Sequence, residues 1–95
     1  MRIPKLYESE PTPCPEKIIY QRYYLPSHRG FYWLIAELDP KEKLAFGYAC
    51  LNDPELAEWG YISIQELEEI GAVLDKNWKP CPFKEALKQM RGEEH

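Results

Sequence analysis

Phe31 to Glu69 reads FYWLIAELDPKEKLAFGYACLNDPELAEWGYISIQELEE, and this stretch decides the fold. Phe31–Leu38 and Leu44–Leu51 are dense in aromatic and apolar residues, the composition of strands. The short link Asp39–Lys43 forces the two to be antiparallel neighbours. Alternation places Phe31, Trp33, Ile35 and Glu37 on one face of the first strand and Tyr32, Leu34, Ala36 and Leu38 on the other. Apolar side chains on both faces predict a central strand covered on both sides. Asn52–Glu55 reads as a turn or one helical turn, with Asp53 as N-cap, Pro54 at the first position and Gly60 closing it. A short strand, Trp59–Ile62, runs into Ser63, which stands three residues before Glu66 in a capping box. Ile62 and Leu67 occupy the staple positions, and Gly71 supplies a left-handed stop. The helix Ile64–Ile70 is too short to persist alone, so Leu67 and Ile70 are expected to pack on the sheet.

Working outward, residues 1–16 hold Pro4, Pro11, Pro13 and Pro15, each fixing its own φ and keeping its predecessor out of the helical region. An extended surface segment follows, with Ile3, Leu6 and Tyr7 available to dock on the core. Lys17–Tyr24 (KIIYQRYY) reads as one strand and Pro26–Gly30 as a turn. Ala72–Leu74 reads as an edge strand and Asp75–Pro80 as a loop, while Phe83, Leu87 and Met90 form the apolar stripe of a final helix. The fold class is α+β: an antiparallel meander of about four strands, with the capped helix and the C-terminal helix packed on it. At 95 residues a single domain over 1–95 is expected, with room for one core but not for a deep enclosed pocket as well.

Hydrophobic content of 44% and mixed charge exclude disorder, and no apolar run approaches a membrane span. The N-terminus lacks a signal-like apolar core, so a soluble cytosolic protein is expected, with no membrane contact. The net charge of −4 is unevenly spread: Glu37–Glu69 holds nine acids against Lys41 and Lys43. That imbalance predicts a negative face built from Asp53, Glu55, Glu58, Tyr61, Glu66 and Glu69, suited to a basic protein partner and unfavourable to nucleic acid. The plainer reading is a solvated, solubilising face. Glu55, Glu58, Glu66 and Glu69 are expected to be exposed, with Trp33 and Phe46 buried beneath the capped helix.

Cys14, Cys50 and Cys81 have no C-x-x-C spacing and His28 is the only internal histidine, so no metal site is expected. No cofactor-binding loop is recognisable, and no cofactor is expected. Cys50 reads as a small core residue. Pro13-Cys14-Pro15 and Pro80-Cys81-Pro82 repeat one tripeptide. If Pro82 opens the last helix, Cys81 is its N-cap, where the helix dipole, Lys79 and Lys84 would favour a thiolate. A bridge between Cys14 and Cys81 is a second reading, and coincidence between two reduced thiols a third. Glu37 and Glu58 are the carboxylates to watch for acid–base work, which needs one of them buried; Asp53 and Glu55 are accounted for as cap and first-turn acids. The aromatics Tyr20, Tyr23, Tyr24, Tyr32, Trp33, Tyr48, Trp59 and Tyr61 could stack single-stranded nucleic acid, with Lys17, Arg22 and Arg29 supplying charge. The core reading, large aromatics with polar tips at the sheet rim, competes with it.

Tyr32-Trp33-Leu34, Glu37-Leu38-Asp39, Phe46-Gly47 and the run Glu58-Trp59-Gly60-Tyr61-Ile62-Ser63-Ile64-Gln65-Glu66-Leu67 together resemble domain-of-unknown-function family 2958. Lys5-Leu6-Tyr7 resembles that family's opening segment. The resemblance implies small proteins of bacteria, archaea and their mobile elements and hence an accessory role, but no activity. The favoured expectation is a non-catalytic cytosolic binding or accessory protein with an acidic face. The alternatives are an enzyme using Glu37, Glu58 or Cys81, and a nucleic-acid module on the aromatic strands.

Overall fold

The computed structural model describes residues 3–6, 8, 12–53 and 55–93, without the side chains of 15, 29 and 91–93. The roles expected of Tyr7, Pro11 and Pro54, and of the Arg29 side chain, lie outside the described residues. Five strands form the main antiparallel sheet: β2 (Gln21–Leu25), β3 (His28–Asp39), β4 (Leu44–Leu51), β5 (Glu58–Ser63) and β6 (Val73–Leu74), ordered β5-β4-β3-β2-β6. The expected meander is β2 to β5, and β6 adds an edge strand beside β2. A separate two-residue ladder joins β1 (Ile18–Ile19) to β7 (Cys81–Pro82). The helices are α1 (Ile64–Glu69) and α2 (Phe83–Glu93).

The segment 17–24 is not one strand. It breaks at Tyr20, whose N–H donates to the Ile35 carbonyl (2.8 Å), and β1 turns away to pair with β7. The β2–β3 ladder ends at Gln21 opposite Ile35, where β3 itself becomes irregular. Beyond that point the N-terminal segment takes over, with the Leu38 N–H bonded to the Pro4 carbonyl (2.9 Å). Residues 14–16 form a 3-10 turn in a segment expected to be wholly extended. The turn expected at 26–30 shrinks to Pro26–Ser27, because His28 already pairs with Leu25 and β3 absorbs the rest.

β3 is the central strand and is covered on both faces. Its pairing with β4 runs Leu34–Tyr48, Ile35–Gly47, then Glu37–Phe46, so Ala36 and Glu37 together oppose one residue. This β-bulge shifts the alternation by one. Glu37, expected beside Trp33 and Ile35, instead joins Leu34 and Ala36, and Leu38 crosses to the Trp33 side. Gly47 lies beside the bulge, where an added Cβ would land on the Leu34 carbonyl oxygen.

One face carries Ile19, Tyr32, Leu34, Ala36 and Cys50 under Phe83, Ala86 and Met90 of α2. The other packs Trp33, Ile35, Ala45 and Ile62 against Ile64 and Leu67 of α1. The stripe of α2 is as expected, and burying side chains the size of Phe83 and Met90 stabilises by about 1.5–3 kcal/mol each. Trp78 fastens the loop ahead of α2, its Nε1–H donating to the Ile19 carbonyl (3.1 Å). Two packing expectations are corrected. Ile70 is 56% exposed, because α1 ends at Glu69 and Gly71 (φ 88°) turns the chain toward β6 before Ile70 reaches the sheet. Phe46 lies on the α2 face, as its register with Glu37 requires, and not beneath α1.

No helix forms at Asp53. Its carboxylate accepts from the Glu55 N–H (3.0 Å) and its carbonyl from the Leu56 N–H (3.0 Å), making a tight turn, and Gly60 lies inside β5. The Ser63 cap is present: its Oγ accepts from the Glu66 N–H (3.2 Å), with Ile62 and Leu67 buried on either side. Ser63→Ala should therefore cost about 1 kcal/mol, read as a lower urea midpoint at unchanged slope. An unchanged midpoint would deny the cap that role.

Candidate functional site

The bulge sets Glu37 in a row with two aromatics. Glu37 on β3 is opposite Phe46 on β4, which is opposite Tyr61 on β5, all on the α2 face. Lys17 descends on this row from the turn before β1. Its position is fixed by backbone bonds, the Phe83 N–H to the Lys17 carbonyl (2.8 Å) and the Lys17 N–H to the Cys14 carbonyl (3.2 Å). Thr12, Pro13 and Cys14 complete a cleft of about 370 Å³ lined also by Lys17, Glu37, Phe46 and Tyr61.

Two charges lie in its wall. Lys17 Nζ is 3.7 Å from Glu37 Oε2, with side chains only 6% and 4% exposed. Nζ also sits 5.9 Å from the Phe46 ring centre, a cation–π distance. The Tyr61 and Phe46 rings meet edge to face at 5.6 Å, and Phe46 stacks on Trp59 at 5.7 Å. The cleft thus combines a buried ion pair with an aromatic corner.

Of the carboxylates singled out in the sequence, Glu37 is buried in this cleft and Glu58 is not there. Glu58 pairs in register with Ala49, so it belongs to the α1 face and is exposed. The two cannot work as an acid–base couple from opposite faces of one sheet. Tyr61, expected on the acidic face, is a cleft residue that stays 55% exposed.

The remaining acids divide into two groups. Asp53, Glu55 and Glu58 surround the β4–β5 loop, all exposed, together with Leu51 and Leu56. Glu66, Glu68 and Glu69 are on α1, where Glu68 pairs with Lys43 (3.3 Å). Burial, and then the charge of Glu68, raise the Tyr23 phenol, which locates this second group near β2. Tyr23 and Glu58 share one level of the ladder at three strand spacings, about 14 Å apart.

Cys81 does not cap a helix. It lies in β7 opposite Ile19, and α2 begins at Phe83. Burial and the Glu85 carboxylate push its thiol up, against a smaller opposite pull from the Gln89 hydrogen bond (3.7 Å). The helix cap on which the thiolate reading depended is therefore absent at Cys81. Cys14, Cys50 and Cys81 are all free, and Cys50 is a core residue as expected. His28 bonds Ser27 Oγ (2.8 Å) in the β2–β3 hairpin and packs on Phe31, so it is no partner for Cys81. Among the described residues no cluster of three or more His, Cys, Asp or Glu side chains is placed to hold a metal, and no helix is long and apolar enough to cross a membrane.

Sequence reasoning missed Phe46, Thr12 and Pro13 as site residues, and it named Lys17 only as a nucleic-acid cation and Cys14 only as a thiol, with no sign that the two share a cleft with Glu37. A lysine ahead of two isoleucines gives no local sign of a buried partner; Phe46-Gly47 was visible only through the family resemblance. Alkylation of Cys81 by iodoacetamide, followed by mass spectrometry against pH, should show a midpoint above the ordinary thiol value of about 8.5. A midpoint below that value would reinstate the activated thiolate.

No curated protein and no solved structure matches the chain. Residues 12–78 match the family described as protein of unknown function (DUF2958), a span that includes every lining residue of the cleft. With more than half its length matched, the chain belongs to the DUF2958 family.

Proposed function

We propose that this is a small, non-catalytic, cytosolic binding or accessory protein that engages a basic partner through its acidic β4–β5 loop. The observation that carries this reading is the pairing of apolar exposure with charge. Leu51 and Leu56 are 58% and 77% exposed in a loop that also presents Asp53, Glu55 and Glu58. Exposed leucines ringed by carboxylates suit a partner that brings apolar side chains among lysines or arginines.

The candidate catalytic groups are engaged otherwise. Glu37 is paired with Lys17, burial and the Glu85 carboxylate push the Cys81 thiol up, and Glu58 lies on the other face from Glu37. Two of the cations named for the nucleic-acid reading are engaged within the fold: Arg22 is bonded to Asp75 (3.0 Å) and lies over Tyr24, while Lys17 is buried. Its aromatics also divide between the faces, Trp33 toward α1 and Tyr32 toward α2.

The test compares the native protein with Glu55→Lys/Glu58→Lys in capture from host extract and then in association kinetics with the purified partner. A basic partner should bind the native protein, release with salt and associate roughly tenfold more slowly with the charge-reversed protein. A partner indifferent to the reversal, or micromolar salt-sensitive binding of an oligonucleotide, would overturn the reading.

A further inference from the structure

The α1 face of the sheet is covered unevenly. We propose that its open corner, beside the β4–β5 loop, seats a basic amphipathic helix of the partner; this rests on the loop reading and names what the loop engages.

The corner follows from the path of the chain. It leaves β5 at Ser63, opposite Leu44 and so at the level of Asp39 on β3. It rejoins the sheet on the far edge at Val73, opposite Tyr24 and so at the level of Tyr32. Between these points α1 packs Ile64 and Leu67 on Ile35, Ala45 and Ile62. The crossing is thus diagonal, and the end of β4 and the start of β5 lie beside it. Phe31 opposite Leu51, and Ala49 opposite Glu58, occupy that corner. Gly60 follows on the same face, where a Cβ would meet nothing within 4 Å. Phe31 and Ala49 are half-buried and Leu51 is exposed, with the exposed Leu56 in the loop that borders them.

Backbone chemistry selects a helix. An extended segment laid across a sheet face would press its own N–H and C=O groups against Phe31 and Leu51, where they find no partners. A helix satisfies those groups internally and offers an apolar stripe to the sheet, as α1 does beside it. The dimensions agree. From β3 to β5 is two strand spacings, about 10 Å, which roughly two turns of helix span.

Charge selects the flanks of that helix. Asp53, Glu55 and Glu58 are exposed around the corner, against Arg29 and His28 at the neighbouring end of β3, so acids prevail. Lysines or arginines beside the apolar stripe would meet these carboxylates, whereas an acidic helix would be repelled. The binding step is non-covalent and moves no proton.

The test titrates isotope-labelled protein with a leucine–lysine peptide of about 14 residues whose leucines share one helical face, a length marginal as a helix alone. Two controls match it in length: one carries glutamate for every lysine, and one alternates leucine and lysine as a strand does. The helical basic peptide should shift the amides of Phe31, Ala49, Leu51 and Gly60, gain helix by circular dichroism, and bind about tenfold more tightly than either control. Gly60→Val fills the corner without touching a charge. Gly60 is not in the left-handed region and valine suits a strand, so the urea midpoint should not fall. Peptide binding should weaken about tenfold. The idea is overturned if the helical peptide leaves the corner unshifted, if a control binds as tightly, or if folded Gly60→Val binds like the native protein. It is overturned too if the protein alone forms a dimer that Gly60→Val dissociates, since a second copy would then be the occupant. Binding lost with Glu55→Lys/Glu58→Lys but kept in Gly60→Val would sink the helix and leave the loop reading standing. Binding lost in Gly60→Val but kept on charge reversal would sink the loop reading and, with it, the basic partner.

Discussion

Two opposite charges are buried on the α2 face, and much of the surrounding chain is arranged so that they meet. Lys17 and Glu37 are each exposed by less than a tenth of their side-chain surface. A charge taken that far from water costs several kcal/mol unless a counter-charge answers it. Pairing them demands two departures from regular structure. The β3 bulge must rotate Glu37 away from the Trp33 side, and the first strand must break at Tyr20 so that Lys17 can descend from above the sheet. Both occur at one level of the sheet, where the β2–β3 ladder stops at Gln21 and Ile35. The β1–β7 ladder and the bond from the Phe83 N–H to the Lys17 carbonyl then fix the start of α2. The cleft is what remains between the 12–14 wall and the row Glu37–Phe46–Tyr61.

Each face of the sheet has its own logic. The α1 face packs Trp33 among Ile35, Ala45, Ile62 and Leu67, and the capped helix closes it. The α2 face is aromatic, with Tyr48, Trp59 and Phe83 in mutual ring contact at 4.8–5.8 Å. Large rings fill space less evenly than branched aliphatics, and here the packing is completed by an ion pair and an open cleft. The acids of the β4–β5 loop and of α1 lie exposed, outside both cores.

What could be read in the sequence was what short-range physics decides. Phe31–Leu38 and Leu44–Leu51 are strands because apolar and aromatic residues crowd a link too short for anything but a hairpin. Ser63 and Glu66 mark the helix start because a cap needs only neighbours, and Phe83 and Met90 reveal α2 through helical spacing. The rest depended on partners distant in the chain. KIIYQRYY has strand composition throughout, and nothing within it says that residues 18–19 pair with 81–82 while 21–25 pair with β3. The bulge carries no glycine or proline in β3, and that one missed irregularity misplaced Glu37 and Leu38 together. Ile70 looked like the next apolar step of α1, yet the left-handed Gly71 takes the chain toward β6 first.

The central claim, that the Lys17–Glu37 pair organises the α2 face, is tested most directly by a double-mutant cycle. Lys17→Met, Glu37→Met and the double variant are unfolded in urea beside the native protein. Each single change removes the counter-charge of a buried ion and should cost about 3–5 kcal/mol, while the double variant, with neither charge left to desolvate, should lose less than either. Losses that add to within about 0.5 kcal/mol would show the two side chains acting independently and would contradict the account.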